Sequence, residues 1–263
     1  MAPIKPRALV RRPSPRLAEG IVTHVARRPV DLARALRQHE NYVEALRANG
    51  WQTVEVDPAP DCPDSVFIED TLVVCGDLAV VTRPGAPQRR AETPAVEQAA
   101  HALGLTVARI EGPGTLDGGD VLQTAQTVYI GQSDRTNAAG IEQLRALLPR
   151  RVIPVPLQGV LHLKSAVTAL PDGVFLTHSG VPDEAFPEAI RVEEESGAHV
   201  VPLGGERVLI AASAPRTVAM LSARGWEPVV VDIDEFEKLE GCVTCLSVLV
   251  PAQVSRTGTY PAP

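Results

Sequence analysis

Residues 116–131 read Leu-Asp-Gly-Gly-Asp-Val-Leu-Gln-Thr-Ala-Gln-Thr-Val-Tyr-Ile-Gly: a strand pattern that opens on two aspartates and two glycines, crosses a polar turn and returns as Val128-Tyr129-Ile130-Gly131. This pattern predicts a hairpin whose first strand has an unusually polar start. Apolar residues at helical spacing follow over Ala138–Leu148, then a short β run at Val152–Val155. The same parts recur along the chain. Returning strands read Leu9-Val10-Arg11, Val80-Val81-Thr82-Arg83, Val174-Phe175-Leu176-Thr177 and Val208-Leu209-Ile210-Ala211. Helical patterns occupy Pro94–Leu103 and Arg216–Arg224, and further short β runs lie at Thr53–Val56, Thr106–Ile110 and Val229–Asp232. Polar starts like Leu116–Asp120 stand upstream at Phe67–Asp70, Leu161–Ser165 and Glu193–His199. The fifth, Gly241-Cys-Val-Thr-Cys245, has no returning strand after it and must find Leu9–Arg11 at the other end of the chain.

Repeats read in this way predict a fold before any residue is given a role. Five units closed on one axis make a five-bladed, pseudo-symmetric α/β propeller: one catalytic domain over residues 1–263, its ring closed by pairing of the N- and C-terminal strands. In such a ring the equivalent starts face one channel, which brings Asp70, Asp117, His162 and Cys245 together. An open α/β sheet would use the same elements. Polar starts recurring at one phase need a shared reason, and the ring supplies it.

The whole-chain properties narrow the partners. A formal charge of -7 and a pI near 5.4 argue against nucleic acid and anionic membrane, which are bound by clustered Lys and Arg. The first sixteen residues carry four prolines and five basic residues with no apolar core of signal-peptide length, and the longest apolar runs are strand-sized. A cytoplasmic protein with a small-molecule partner is expected. Four cysteines, at 62, 75, 242 and 245, are too few for a secreted disulfide framework.

Cys245 stands at the mouth of an apolar strand, and His162 occupies the equivalent start in Val160-Leu-His-Leu-Lys-Ser165. A thiol of pKa about 8.5 and an imidazole of about 6.5 can share or separate a proton, as acyl or amidine hydrolysis requires. Asp64, Glu69 and Asp70, with Asp117 and Asp120, would gather carboxylates around that thiol. Such a set suits a cationic substrate: carboxylates receive a planar guanidinium through paired hydrogen bonds and hold its carbon over the sulfur. Local readings also exist, since Asp117-Gly-Gly-Asp120 suits a tight turn and a single Cys or His is commonly a packed side chain. Arg89 and Arg135, both in turns after returning strands, could meet the carboxylate of a free amino acid.

Six segments in order then carry a resemblance: Pro63-Asp-Ser-Val-Phe-Ile-Glu-Asp70, Thr82-Arg-Pro-Gly-Ala-Pro-Gln-Arg-Arg90, Thr115-Leu-Asp-Gly-Gly-Asp-Val-Leu122, Arg135-Thr-Asn137, Leu161-His-Leu-Lys-Ser165 and Thr244-Cys-Leu-Ser-Val248. Over almost its whole length the chain resembles dimethylarginine dimethylaminohydrolases, of the guanidino-modifying or pentein superfamily. The resemblance implies Cys245 as nucleophile on the guanidinium carbon, a covalent thiouronium intermediate, and citrulline as product. His162 would protonate the leaving amine and activate water, and Asp117 and Asp70 would grip the guanidinium. Asp64 and Glu69 would complete the acidic pocket with Phe67 beside it, Arg89 and Arg135 would clamp the carboxylate, and the Leu239 carbonyl would take the α-amino group. Pro13–Ile21 resembles the family's lid, with Ile21 over the substrate. No cofactor or resident metal is implied, though Cys245 and His162 could take an inhibitory zinc. One departure stands out: Ala198-His-Val-Val201 replaces the family's Ala-Ala-Asn-Cys.

Rivals remain. The same thiol and histidine would serve an arginine deiminase or an arginine dihydrolase, although no extra helical domain of the deiminase kind is present. A zinc or redox protein built on Cys242 and Cys245 is the rival from another class.

Overall fold

The five returning strands form the middles of five three-stranded sheets in the structure, a computed structural model that describes residues 5–186 and 188–252. Each middle strand pairs antiparallel with an inner strand and parallel with an outer one. In blade one, Arg7–Val10 lies between Val248–Val250 and Gln52–Glu55, with Arg7 opposite Val250 and Leu9 opposite Val248. The strand near the C-terminal end of the described chain therefore completes the first sheet. Blade two is Leu72–Cys75, Leu78–Val81 and Thr106–Arg109. Blade three is Val121–Gln123, Thr127–Gln132 and Arg151–Pro156. Blades four and five centre on Phe175–Thr177 and Arg207–Ala211. This is the five-bladed α/β propeller. The parts of the expected domain at residues 1–4, 187 and 253–263 lie outside the described residues.

Helices cover four of the middle-to-outer crossings: α1 (Leu32–Ala48), α2 (Thr93–Ala102), α3 (Ala138–Leu147) and α4 (Pro215–Ala223). Asp31 caps α1 by accepting from the Arg34 amide, and Asn137 caps α3 by accepting from Gly140. Among the described residues the fourth crossing has no α-helix. There Phe186 packs with Tyr129 and Phe175 at centroid separations of 5.1 and 5.0 Å and fills the space a helix would take.

The structure corrects one expectation. The polar starts do not enter the strands; they curl into single 3-10 turns just before them, at Ile68–Thr71, Gly118–Asp120, Leu163–Ser165 and Glu195–Ala198. A strand sends successive side chains to opposite faces, whereas one tight turn fans them around a point, which is what a shared axis needs.

These turns hold hands around the channel. The Glu69 amide donates to the Cys245 carbonyl, Gly119 to the Asp70 carboxylate and Leu163 to the Asp120 carboxylate. The His199 ring meets the Ser165 carbonyl, and away from the turns Trp51 of blade one donates to the Leu203 carbonyl of blade five. Among the described residues no helix is long and apolar enough to cross a membrane.

Candidate active site

One end of the channel holds a cavity of about 30 Å³ lined by Ile21, Asp64, Phe67, Asp70, Arg89, Arg135, Leu161, His162, Leu239, Glu240, Gly241 and Cys245. Nine of the eleven expected site residues, Cys245 and His162 among them, line it, drawn from segments more than two hundred residues apart in sequence. Most of these side chains are buried, and the space holds about two waters rather than an amino acid.

His162 is the hub. Its Nε2 lies 3.1 Å from Asp117 Oδ2 and its Nδ1 lies 3.8 Å from Asp70 Oδ1. Burial alone would lower the imidazole pKa, but Asp70, the Asp117 hydrogen bond and Asp120 overcome it and hold the ring up, at about 10. At neutral pH the ring is an imidazolium, a stored proton beside the cavity. Asp117 is fully buried behind it: its second oxygen accepts from the Gly85 amide at 2.8 Å, and its own amide donates to Thr136. Gly119 permits this approach, because a Cβ there would stand 2.6 Å from His162 Nδ1 and 2.7 Å from Asp70.

Asp70 also accepts from Arg89 and from the Gly119 amide, and the positive charges of His162 and Arg89 outweigh burial to hold its pKa at about 2. It stays a carboxylate. Arg89 gives most of its donors inside the protein: to Asp70, to both oxygens of Glu92 at 3.0 and 2.8 Å, and to the Asp64 and Phe67 carbonyls. Its first task is thus to fix the acidic wall, which leaves Arg135, half-buried on the rim, as the freer cation.

Cys245 is 7% exposed, with its sulfur 3.2 Å from Cys242 Sγ. The hydrogen bond with Cys242, burial and the carboxylates of Glu69 and Asp70 push its thiol well above the ordinary range. A cation arriving at Asp70 would pull it back down.

Two of the expected residues face elsewhere. Glu69 does not line this cavity: its carboxylate takes Lys164 Nζ at 2.6 Å and Thr244 Oγ1 at 3.0 Å, and it borders a separate channel cavity of about 190 Å³ on the far side. Its neighbour Asp70 occupies the cavity side of the same turn, so Glu69 points the other way and forms the floor. Burial pushes Glu69 up to about 7. Asp120 likewise spends its oxygens on the Leu163 amide and Ser133. Among the described residues one group of three donors lies close enough to share a cation: Asp70, Asp117 and His162, within 4.8 Å of one another.

The segment expected as a lid reaches the cavity at Ile21. The Ile21 amide donates to Asp64 at 3.0 Å, and the amides of Thr23, His24 and Val25 all donate to Glu240. Glu240 holds φ of 63°, a left-handed conformation that non-glycine residues adopt at a cost of about 1 to 2 kcal/mol. Neither Glu240 nor the Lys164–Thr244 floor is visible in sequence, since both depend on partners far along the chain.

Residues 25–170 match the family described as N,N dimethylarginine dimethylhydrolase, eukaryotic. The N(G),N(G)-dimethylarginine dimethylaminohydrolase of Streptomyces coelicolor is 62% identical over 92% of this chain and 96% of its own. The Pseudomonas aeruginosa protein of the same name is 35% identical over 91% and 97%. Among solved structures, a dimethylarginine dimethylaminohydrolase with its histidine changed to glycine, an adduct with S-methyl-L-thiocitrulline, superposes with a TM-score of 0.88 at 33% identity, covering 94% of this chain and 100% of that one. A cysteine-to-serine variant of the Pseudomonas aeruginosa enzyme complexed with citrulline gives 0.86 at 33% identity, covering 94% and 99%.

Proposed function

The chain belongs to the dimethylarginine dimethylaminohydrolase family, and from that premise we propose how its residues convert asymmetric dimethylarginine and monomethylarginine to citrulline with release of dimethylamine or methylamine. The observation that carries the assignment of roles is the meeting of a thiol, an imidazolium and an ionised Asp70 on one small, lidded cavity.

The substrate guanidinium binds against Asp70, with Asp117 behind His162 as the second carboxylate and Asp64 completing the acidic wall beside Phe67. Positive charge placed there favours ionisation of Cys245, whose proton passes to solvent. The thiolate attacks the guanidinium carbon. His162 gives its proton to the departing amine, which leaves as the carbon–nitrogen bond breaks, and a thiouronium remains on Cys245. His162, now neutral, takes a proton from water, whose oxygen attacks the same carbon; the carbon–sulfur bond breaks with its electron pair on sulfur, the hydroxyl proton leaves to re-form the thiol, and citrulline is free. Arg135, with the remaining donor capacity of Arg89, receives the substrate carboxylate, the Leu239 carbonyl receives the α-amino group and Ile21 closes over the side chain. Residues 1–263 act as one catalytic domain. Four free cysteines support a reducing, cytoplasmic setting.

The test is side-by-side turnover of asymmetric dimethylarginine, monomethylarginine and arginine. Citrulline with dimethylamine or methylamine is the expected result. Ammonia from arginine with no amine from the methylated substrates would overturn it.

The lid yields a second measurement. Glu240→Ala removes the acceptor of three backbone amides. At about 1 kcal/mol for the net effect on closure, KM rises about fivefold to tenfold with kcat little changed. An unchanged KM would show that the latch does not govern closure.

A further inference from the structure

Cys242 is a buried nucleophile beside the site that hydrolysis leaves idle. It is 5% exposed, its sulfur lies 3.2 Å from Cys245 Sγ, and its amide points at that same sulfur at 3.4 Å. The Cys245 amide donates back to the Cys242 carbonyl at 3.1 Å. A four-residue turn of this kind keeps its end Cα atoms within about 7 Å, close to the span a disulfide bridges. The two thiols are therefore placed to join with little movement of the backbone. Two further features favour reaction. Cys245 lines the cavity, where a small molecule from solvent reaches it. The hydrogen bond from Cys245, followed by the nearby His199 charge and the Thr244 hydroxyl, holds the Cys242 thiol well below its ordinary range. The other cysteines are not involved: Cys62 and Cys75 are only partly buried, and Cys75 meets Arg150.

We propose that Cys242 is a resolving thiol for Cys245, and that hydrogen peroxide or an organic hydroperoxide converts the pair to a reversible Cys242–Cys245 disulfide that switches hydrolysis off. In the first step Cys245 Sγ, having passed its proton to the Cys242 thiolate 3.2 Å away, attacks a peroxide oxygen. A sulfur–oxygen bond forms, the oxygen–oxygen bond breaks, and the released hydroxide takes a thiol proton to leave as water. In the second, the Cys242 thiolate attacks the sulfenic sulfur. The sulfur–sulfur bond forms, the sulfur–oxygen bond breaks, and hydroxide leaves as a second water after taking up the other proton. The pair loses two electrons, hydrogen peroxide gains them, and both thiol hydrogens end in water. Without a resolving thiol at that distance, sulfenic Cys245 would be open to further, irreversible oxidation. A dithiol reductant restores the pair.

The switching part of this proposal rests on the hydrolase reading; the disulfide does not, so the test reads both separately. The folded wild-type chain, Cys242→Ala and Cys242→Ser are treated with hydrogen peroxide, quenched, alkylated under denaturing conditions and analysed by intact mass and peptide mapping, with methylarginine turnover measured before and after dithiothreitol. In the wild type, two of the four thiols disappear, the chain loses the mass of two hydrogens, and one peptide carries both modified positions. Activity falls in step and returns with reductant. In the variants Cys245 instead gains oxygen atoms, and activity lost at the same dose stays lost. Wild-type Cys245 that gains two oxygens with no disulfide overturns the proposal, as does full recovery of both variants. If no preparation turns over methylarginine, the mass result still decides the disulfide.

Discussion

Cys245→Ser lowers citrulline formation by about 10⁴-fold or more while leaving the melting temperature nearly unchanged. The substitution keeps the side chain's shape and its place on the cavity wall, so the stability effect is small. The chemistry is another matter. A serine hydroxyl needs a base in reach, and the imidazole at this site is already protonated at neutral pH, since Asp70, Asp117 and Asp120 hold it up at about 10. A thiol can ionise when a guanidinium docks against Asp70; a hydroxyl, several pKa units weaker as an acid, cannot. The same reasoning sets the alkaline limb of the pH profile. As pH rises through about 10, His162 loses the proton that the leaving amine needs, and turnover falls. Turnover by the serine variant within a hundredfold of wild type would mean that another group is the nucleophile.

Much of this architecture was legible in the chain because it repeats. The returning strands read from their apolar runs are the sheet middles, and the orphan start Gly241–Cys245 leads into the strand that pairs with Arg7–Val10. Helix ends at Thr93–Ala102, Ala138–Leu147 and Pro215–Ala223 fall within a residue of the apolar pattern. The longest helix, Leu32–Ala48, was not singled out, and its buried face explains why: Gln38 and His39 interrupt the stripe of Ala35, Tyr42, Val43 and Leu46. Within the site, sequence phase brought Asp70, His162 and Cys245 to one cavity but could not tell Asp70 from Glu69. In a single 3-10 turn adjacent side chains diverge with no period to read, and only the partners Lys164 and Thr244 show which way Glu69 faces. His199, the departure noted in the fourth start, joins the ring of turns through the Ser165 carbonyl.

Arg89→Met destabilises the fold by about 3 to 5 kcal/mol at neutral pH, the range for removing one partner of a buried ion pair. For a chain of this size that is a fall of about 6 to 20 °C in melting temperature. The side chain volume is nearly kept, so the loss is electrostatic: Asp70 and Glu92, 2% and 1% exposed, remain buried without their shared cation, and the carbonyls of Asp64 and Phe67 lose a donor. The pH dependence separates this from a packing defect. In the wild type Asp70 has a depressed pKa of about 2, so its stabilising contribution is present above the unfolded carboxylate range and is lost as pH falls toward 2. In the variant Glu92, already raised by burial, loses the charge that opposed it and rises further, while Asp70 keeps the His162 charge and the Gly119 hydrogen bond and loses only part of what holds it down; a raised carboxyl binds its proton more tightly folded than unfolded, so lowering the pH relieves the variant at Glu92. The gap between the two proteins is therefore widest near pH 7 to 8 and narrows toward pH 5, as chemical denaturation at both pH values would read. An equal gap at both would assign Arg89 to packing alone and remove the case that it fixes the charge of the acidic wall.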